Sequence, residues 1–264
     1  MTLFPGVALV TGAASGIGRA TAISFALEGC RRIAISDINL TGLHETAKYL
    51  KEVSSDVDIL VNQVDTQEEA QIEDMVQATV AKFGRVDYAV NCAGVGGTRE
   101  RSTDLTAKQF DFVTNINYRG VWLSSRFELA QMLKQEPLPT HDGRAGNRGA
   151  IVNIASQLGI VSTNNAPVYC ASKAAVISMT KSDAIDYSKE NIRINCVCPG
   201  IVDTPMTQGE SGFTKALETS IAIAPMNRRG TPQEIADACL FLCSSKASFV
   251  QGHAMVIDGG YTIN

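Results

Sequence analysis

Short runs rich in Val, Ile and Ala alternate with longer amphipathic stretches along the whole chain. This rhythm restricts the fold more than any other feature. "VALVTG" is followed by "GIGRATAISFALEG", "RIAISD" by "GLHETAKYLKEV", and "DILVNQVD" by "EEAQIEDMVQATVAKFG". "VDYAVNCAG", a helical segment through Thr106–Gln135, "GAIVNIAS", a helix holding Tyr169, "RINCVCPG", the helix "PQEIADACLFLCSS" and "AMVIDGG" complete the series. Strand runs this uniformly apolar fit a sheet covered on both faces. Strand–helix alternation then predicts one α/β domain over 1–264: a doubly wound sheet of about seven parallel strands, with right-handed crossovers and helices on both faces.

Two segments break the rhythm. "EPLPTHDGRAGNRG" (136–149) is rich in Pro, Gly and charge and reads as an exposed loop, able to alter access to a site or subunit packing. "PMTQGESGFTKALETSIAIAPMNRRG" (205–230) mixes glycines with Met206, Phe213, Leu217, Ile221, Ile223 and Met226. An amphipathic excursion beyond a strand's carboxyl end is placed to cover a crevice there.

Bulk properties remove several function classes. A net charge of −4 argues against a nucleic-acid partner, which normally needs a basic excess. No run reaches the 18 or so apolar residues of a membrane span, and "MTLFPGVALVTG" enters an apolar strand without a charged leader. The expectation is a soluble, cytoplasmic protein with no membrane partner. Its cysteines (Cys30, Cys92, Cys170, Cys196, Cys198, Cys239 and Cys243) are odd in number and sit mostly in apolar runs. Reduced, buried thiols suit that pattern better than disulfides. Cys196 and Cys198 should share one strand face, and Cys239 and Cys243 one helix face. His44, His141 and His253 form no ligand-spaced set, so no metal site is expected.

"TGAASGIG" follows the first strand and opens the first helix, placing Gly12, Gly16 and Gly18 as G-x-x-x-G-x-G. Such a turn lets backbone approach a pyrophosphate, while the helix N-terminus offers free N–H groups and partial positive charge. Asp37 stands nineteen residues after Gly18 at the end of the second strand, near the spacing at which a carboxylate accepts from the adenosine ribose. A carboxylate there repels a 2′-phosphate, and Ser15 and Ile38 stand where a basic residue would be needed. These features favour NAD over NADP. Arg31 and Arg32 precede the strand, at its other end.

In "VYCASKAAV" (168–176), Tyr169 and Lys173 lie four positions apart, within roughly 40° of each other on one helix face. Sharing a face permits proton-transfer chemistry without showing it.

Taken together the motifs resemble those of the short-chain dehydrogenase/reductase family, over essentially the whole chain. Besides "TGAASGIG" there are "NCAG" (91–94), "NINYRG" (115–120), "IVNIAS" (151–156), "YCASK" (169–173), "CPGIVDT" (198–204) and "IDGG" (257–260), in family order. Cys92 departs from the usual Asn, and the 136–149 loop is longer than in many members. The resemblance implies a Rossmann-type fold and a catalytic tetrad of Asn117, Ser156, Tyr169 and Lys173, with the thirteen-residue gap from Ser156 to Tyr169 usual for the family. It implies Asn117 rather than Asn115 for the tetrad. It further implies Asp65 at the adenine amino group, Asn91, Ala93 and Gly94 beside the adenosine ribose, and Val202 with Thr204, after Pro199 and Gly200, at the nicotinamide carboxamide. Ile17 belongs to the glycine turn. By position, Val95, Ser156, Gln157, Leu158, Tyr169, Gly200 and Met206 are expected to line the substrate pocket.

The chemistry suits these residue types. Alcohol oxidation removes a hydride from carbon and a proton from oxygen, and the proton needs a base. Lys173 is expected to lower the Tyr169 pKa and to bind the nicotinamide ribose, Ser156 to hold the substrate oxygen, and Asn117 to anchor a water leading from Lys173 to solvent. The expected activity is NAD(H)-dependent oxidoreduction of a secondary alcohol or ketone with a hydrophobic body: terpenoid, steroid-like or polyketide. The alternatives are a 3-oxoacyl thioester or polyketide ketoreductase, and a non-catalytic NAD-binding scaffold. The helices at 106–135 and 168–188 resemble those that pair family members into dimers and tetramers, with Trp122 and Phe127 as candidate interface residues.

Overall fold

The computed structural model describes residues 2–208 and 211–264; the side chains of 211–216, Phe213 among them, lie outside the described residues. Seven strands form one parallel sheet: β1 (Val7–Thr11), β2 (Arg32–Asp37), β3 (Asp58–Gln63), β4 (Tyr88–Asn91), β5 (Gly149–Ile154), β6 (Ile192–Pro199) and β7 (Ala254–Ile257). Their order is β3-β2-β1-β4-β5-β6-β7. β1 therefore pairs with β2 on one side, Thr11 opposite Ser36, and with β4 on the other, Thr11 opposite Asn91. At that reversal of strand order the flanking connections leave in opposite directions and open a crevice beyond the carboxyl ends.

The helices are α1 (Gly16–Leu27), α2 (Leu40–Val53), α3 (Glu69–Phe83), α4 (Ala107–Thr114), α5 (Val121–Met132), α6 (Pro167–Tyr187), α7 (Ser211–Ile223) and α8 (Pro232–Cys243). Side-chain alternation along the strands divides the core. Ala8, Val10, Ile33, Ile35, Val152 and Val197 face the layer holding Phe25 of α1, Leu43 of α2 and Cys239 and Cys243 of α8. Val7, Leu9, Ala34, Ile151 and Ile194 face Ile72 and Met75 of α3 and Leu123 and Leu129 of α5. Cys196 and Cys198 share a face against Val176 and Met179 of α6. The seven cysteines are all free thiols.

Three local features differ from the sequence reading. The outermost strands β3 and β7 are only half-buried, because an edge strand lacks a neighbour on one side. The helix expected over Thr106–Gln135 is interrupted by a π-turn at Asn115–Gly120 between α4 and α5. Residues 136–149 connect α5 to the amino end of β5, where His141 Nδ1 meets Ser245 Oγ at 2.8 Å. That places them at the amino ends of the strands, the end of the sheet opposite the crevice.

Candidate active site

The turn after β1 is shaped by glycine. Gly12 and Gly16 take φ of +66° and +51°, the left-handed region, and a Cβ on Gly12 would stand 2.8 Å from the Ala93 backbone nitrogen. Ala13 N donates to Ser36 O and Ala93 N to Thr11 Oγ1, so the turn is tied to the ends of β2 and β4. α1 begins there, and its N-cap Ser15 makes no side-chain capping bond, leaving the first-turn N–H groups to meet an anion.

A cavity of about 410 Å³ opens in front of this helix end. Its walls hold Gly12, Ser15, Gly16, Ile17 and Gly18 from the glycine turn, and Asp37 and Ile38 after β2. Asp65 follows from beyond β3, then Ala93, Gly94 and Val95 after β4, and Thr204 and Met206 from beyond β6. Among the described residues no Lys or Arg lines it. Asp37 Oδ2 accepts from Ala14 N and Oδ1 from Asn39 N, which fixes the carboxylate while leaving lone pairs for a sugar hydroxyl. Arg31 is engaged with Asp56 and Arg32 with Pro5 O, both away from the cavity. Phe112 of α4 and Ile116 of the π-turn also line it; no motif marks Phe112, and Ile116 stands within "NINYRG" without a role implied for it.

Six residues expected at the cofactor do not line this cavity: Tyr169 and Lys173, described below, and Asn91, Pro199, Gly200 and Val202. Asn91 is buried beneath it, its Nδ2 donating to Glu128 Oε2 at 3.0 Å and Asn153 Oδ1 at 3.1 Å. An Asn on this face of β4 points into the core, so Asn91 supports the 92–95 turn from below and its side chain does not reach a ribose. In the same sealed cluster Glu128 Oε1 and Asn91 Oδ1 have no partner, and burial pushes the Glu128 carboxyl up to about 7. Pro199 closes β6, and Gly200 sits against Asp258, where a Cβ would fall 2.7 Å from its Cα. Val202 is buried, its carbonyl accepting from the Thr207 hydroxyl.

Asn117 and Lys173 stand beside Gly94, and Tyr169 links Lys173 to Ser156. A Cβ on Gly94 would stand 3.2 Å from Asn117 Oδ1 and 3.5 Å from Lys173 Nζ. The π-turn aims Asn117 inward; its Oδ1 accepts from Val95 N and its Nδ2 donates to Val95 O, both at 2.8 Å. In this structure Asn117 thus clamps the turn after β4. Lys173 is buried, with Nζ donating to Ile154 O at 2.8 Å and lying 6.0 Å from the Tyr169 ring centroid.

Burial raises the Tyr169 hydroxyl above its ordinary pKa, against the pull of the Ser156 side chain and the Arg99 guanidinium. The Lys173 ammonium is directed at the Ile154 carbonyl, and burial pushes its own pKa down to about 8. Burial holds the Cys92 thiol up at about 12, so this departure from the family pattern adds no reactive thiolate.

A second cavity, of about 620 Å³, adjoins Gln157 and Leu158. Leu217 and Ile223 from the 205–230 segment, with Ile201, supply its apolar wall; Thr163, Asn164, Asn165 and Arg99 supply a polar one. The polar wall was not read from the sequence, since it comes from loops without a motif. Val95 and Met206, expected at the substrate, line the first cavity instead, and Gly200 lines a third. Residues 209 and 210 of that segment lie outside the described residues. Among the described residues no group of three or more His, Cys, Asp or Glu could hold a metal, and no helix is long and apolar enough to cross a membrane.

A family model described as enoyl-(acyl carrier protein) reductase matches residues 12–262. The short-chain dehydrogenase fogB of Aspergillus ruber is 37% identical over 98% of this chain and 97% of its own. The solved structure of levodione reductase superposes with a TM-score of 0.90 at 35% identity, covering 98% of each chain. That of a 3-ketoacyl-(acyl-carrier-protein) reductase from Brucella melitensis complexed with NADH gives 0.84 at 30% identity, over 99% of this chain and 100% of that one. The chain belongs to the short-chain dehydrogenase/reductase family, and it is an oxidoreductase that works with a nicotinamide cofactor on alcohol and carbonyl groups.

Proposed function

We propose that the chain is an NAD(H)-dependent dehydrogenase moving a hydride between the nicotinamide and a secondary alcohol or ketone that carries an apolar body. The observation that carries this reading is that Tyr169 lies between Ser156 and Lys173, with Lys173 against Gly94 in the wall of the cavity that opens at a free helix N-terminus.

The first cavity fits a dinucleotide. The glycine turn would hold the pyrophosphate, Asp37 the adenosine ribose, Asp65 the adenine edge, and Thr204 the nicotinamide end. Asp37, with no cation among the described lining residues, favours NAD over its 2′-phosphorylated form. When bound, the nicotinamide supplies the hydride acceptor or donor. The rest falls to the protein. Ser156 holds the substrate oxygen, Tyr169 gives or takes the proton there, and Lys173 orients the ribose from beneath Gly94. Asn117 acts by fixing Val95 and the turn around Gly94.

The substrate's apolar body would lie against Leu158, Ile201, Leu217 and Ile223. A 3-oxoacyl thioester ketoreductase is the second reading, favoured by the Brucella neighbour's name. A secondary-alcohol screen with NAD and NADP, followed by NADH absorbance, tests both. NAD-linked turnover of simple alcohols supports the first reading, and activity confined to 3-oxoacyl thioesters the second. We also infer a cytoplasmic homo-oligomer. Trp122 and Tyr118 stand exposed on the α4–α5 face, and Phe127 is half-buried against the core. Sedimentation of the purified chain as a monomer would remove the oligomer.

A further inference from the structure

The loop after β4 holds Arg99 in place from both sides. Gly97 takes a φ of +68°, and a Cβ there would stand 2.5 Å from Val113 Cγ2, so the loop can settle on α4 only with glycine at this position. Gln109 of α4 donates through Nε2 to Thr98 Oγ1 at 3.2 Å and to Glu100 Oε2 at 3.5 Å. Both neighbours of Arg99 are thus tied to the helix, and Arg99 itself lines the cavity of about 620 Å³ beside Gln157 and Leu158. Among the described residues lining that cavity Arg99 is the one charged side chain; the polar residues Thr163, Asn164 and Asn165 are neutral. Its charge also acts on the Tyr169 hydroxyl, which places the guanidinium within electrostatic reach of the proton carrier.

We propose that Arg99 is a specificity-determining residue that binds a carboxylate on the substrate. The preferred substrates are therefore hydroxy acids in the oxidative direction and oxo acids in the reductive one. This rests on the reading of the site as an alcohol dehydrogenase, and it adds an anionic end to the apolar body lying against Leu158, Ile201, Leu217 and Ile223. The guanidinium presents several N–H donors in a planar fork that matches a carboxylate, enough to keep its contacts with the protein and to grip a substrate as well. Inside a concave site with an apolar wall, such a charge-assisted pair is worth more than the same pair on an open surface.

The test compares 2-hydroxy-2-phenylacetate and 3-hydroxy-3-phenylpropanoate, each with its own methyl ester, in the wild type and in the Arg99→Gln, Arg99→Lys and Arg101→Gln variants. The first acid carries its carboxylate on the reacting carbon and the second one carbon further; each ester keeps the shape and removes the charge. In the wild type, kcat/KM should favour at least one acid over its ester by about tenfold or more. Arg99→Gln should bring that ratio to within about twofold, and Arg99→Lys, which keeps the charge, should retain a preference of at least about threefold. Arg101 lines an adjoining groove that shares Leu158, Thr163 and Asn165, so Arg101→Gln removes an equal charge from outside the cavity and should leave the preference in place. Both arginines are exposed, so these substitutions leave the core intact. The ratio is taken within each protein, and the pull on Tyr169 lost in Arg99→Gln acts on acid and ester alike. Equal rates for acid and ester in the wild type, a preference that survives in Arg99→Gln, or an equal loss in Arg101→Gln overturns the proposal.

Binding separates this contact from the dehydrogenase reading. Calorimetric titration of the enzyme with NADH bound, using 3-phenylpropanoate and its methyl ester, neither of which can react, reads the Arg99 contact without turnover. Acid binding about tenfold tighter than ester in the wild type and lost in Arg99→Gln supports the contact, and equal binding overturns it. If that binding preference is present but no alcohol is oxidised, it is the dehydrogenase reading that fails. Oxidation of acids and esters at equal rates keeps that reading and overturns the role of Arg99.

Discussion

Lys173 Nζ lies 6.0 Å from the centre of the Tyr169 ring while it donates to the Ile154 carbonyl at 2.8 Å. The lysine is thus anchored to the end of β5, which also carries Ser156 two residues on, and the helix brings the tyrosine over that point. One strand end and one helix turn hold all three groups. The arrangement requires each member in its own role.

Tyr169→Phe keeps the ring and removes the proton carrier. NAD-linked turnover should fall by at least about a thousandfold while NADH binding, followed by fluorescence titration, changes less than about threefold. Retained turnover would exclude a proton-transfer role for Tyr169.

The raised Tyr169 pKa fixes the direction of the pH response. Burial favours the neutral phenol, which can hand a proton to a carbonyl oxygen, whereas oxidation needs the ionised form. Values of kcat/KM for oxidation should therefore climb between about pH 7 and 10, while those for ketone reduction should stay level over the same interval. Profiles measured in both directions check this; a flat oxidative profile would contradict it.

Asp37 is the one carboxylate at the end of β2, and its oxygens are already held by Ala14 N and Asn39 N. Asp37→Ser should raise the NADP-to-NAD ratio of kcat/KM by about ten- to a hundredfold, mostly by weakening NAD. Paired kinetics with the two cofactors on one alcohol measure the ratio.

Glu128 makes stability pH-dependent. Its carboxyl is raised by burial to about 7, against an ordinary value near 4.3, so the folded state prefers the protonated form. The stabilisation linked to that proton is complete below the ordinary value and is lost as pH rises through about 7. Between pH 5 and 8 the wild type should lose about 1–3 kcal/mol relative to Glu128→Gln, read from urea melts at the two pH values. An unchanged difference would mean that Glu128 is ionised throughout.

The strand series and sheet class were legible because buried parallel strands demand uninterrupted apolar runs, as "VALVTG" and "GAIVNIAS" show. The glycine turn and Asp37 could be placed because strand, turn and helix follow each other within one short stretch. Asn91 could not. A residue at a strand end faces either the crevice or the core, and its direction here is set by Glu128 and Asn153, which lie 37 and 62 positions further on. The π-turn was hidden for a similar reason: Gly120 packs against the Thr66 backbone, 54 positions earlier, and no local pattern announces that contact.

The strand order also has a temporal meaning. β1, β2, β3 and β4 all precede residue 92, so the glycine turn, Asp37 and Asp65 can be assembled while the ribosome is still translating the segment that carries Ser156. The proton-handling strand and helix are added at the β4 edge of that platform, and Thr204 arrives after them. A nascent chain of this kind acquires its nucleotide-holding half before it has anything to oxidise or reduce.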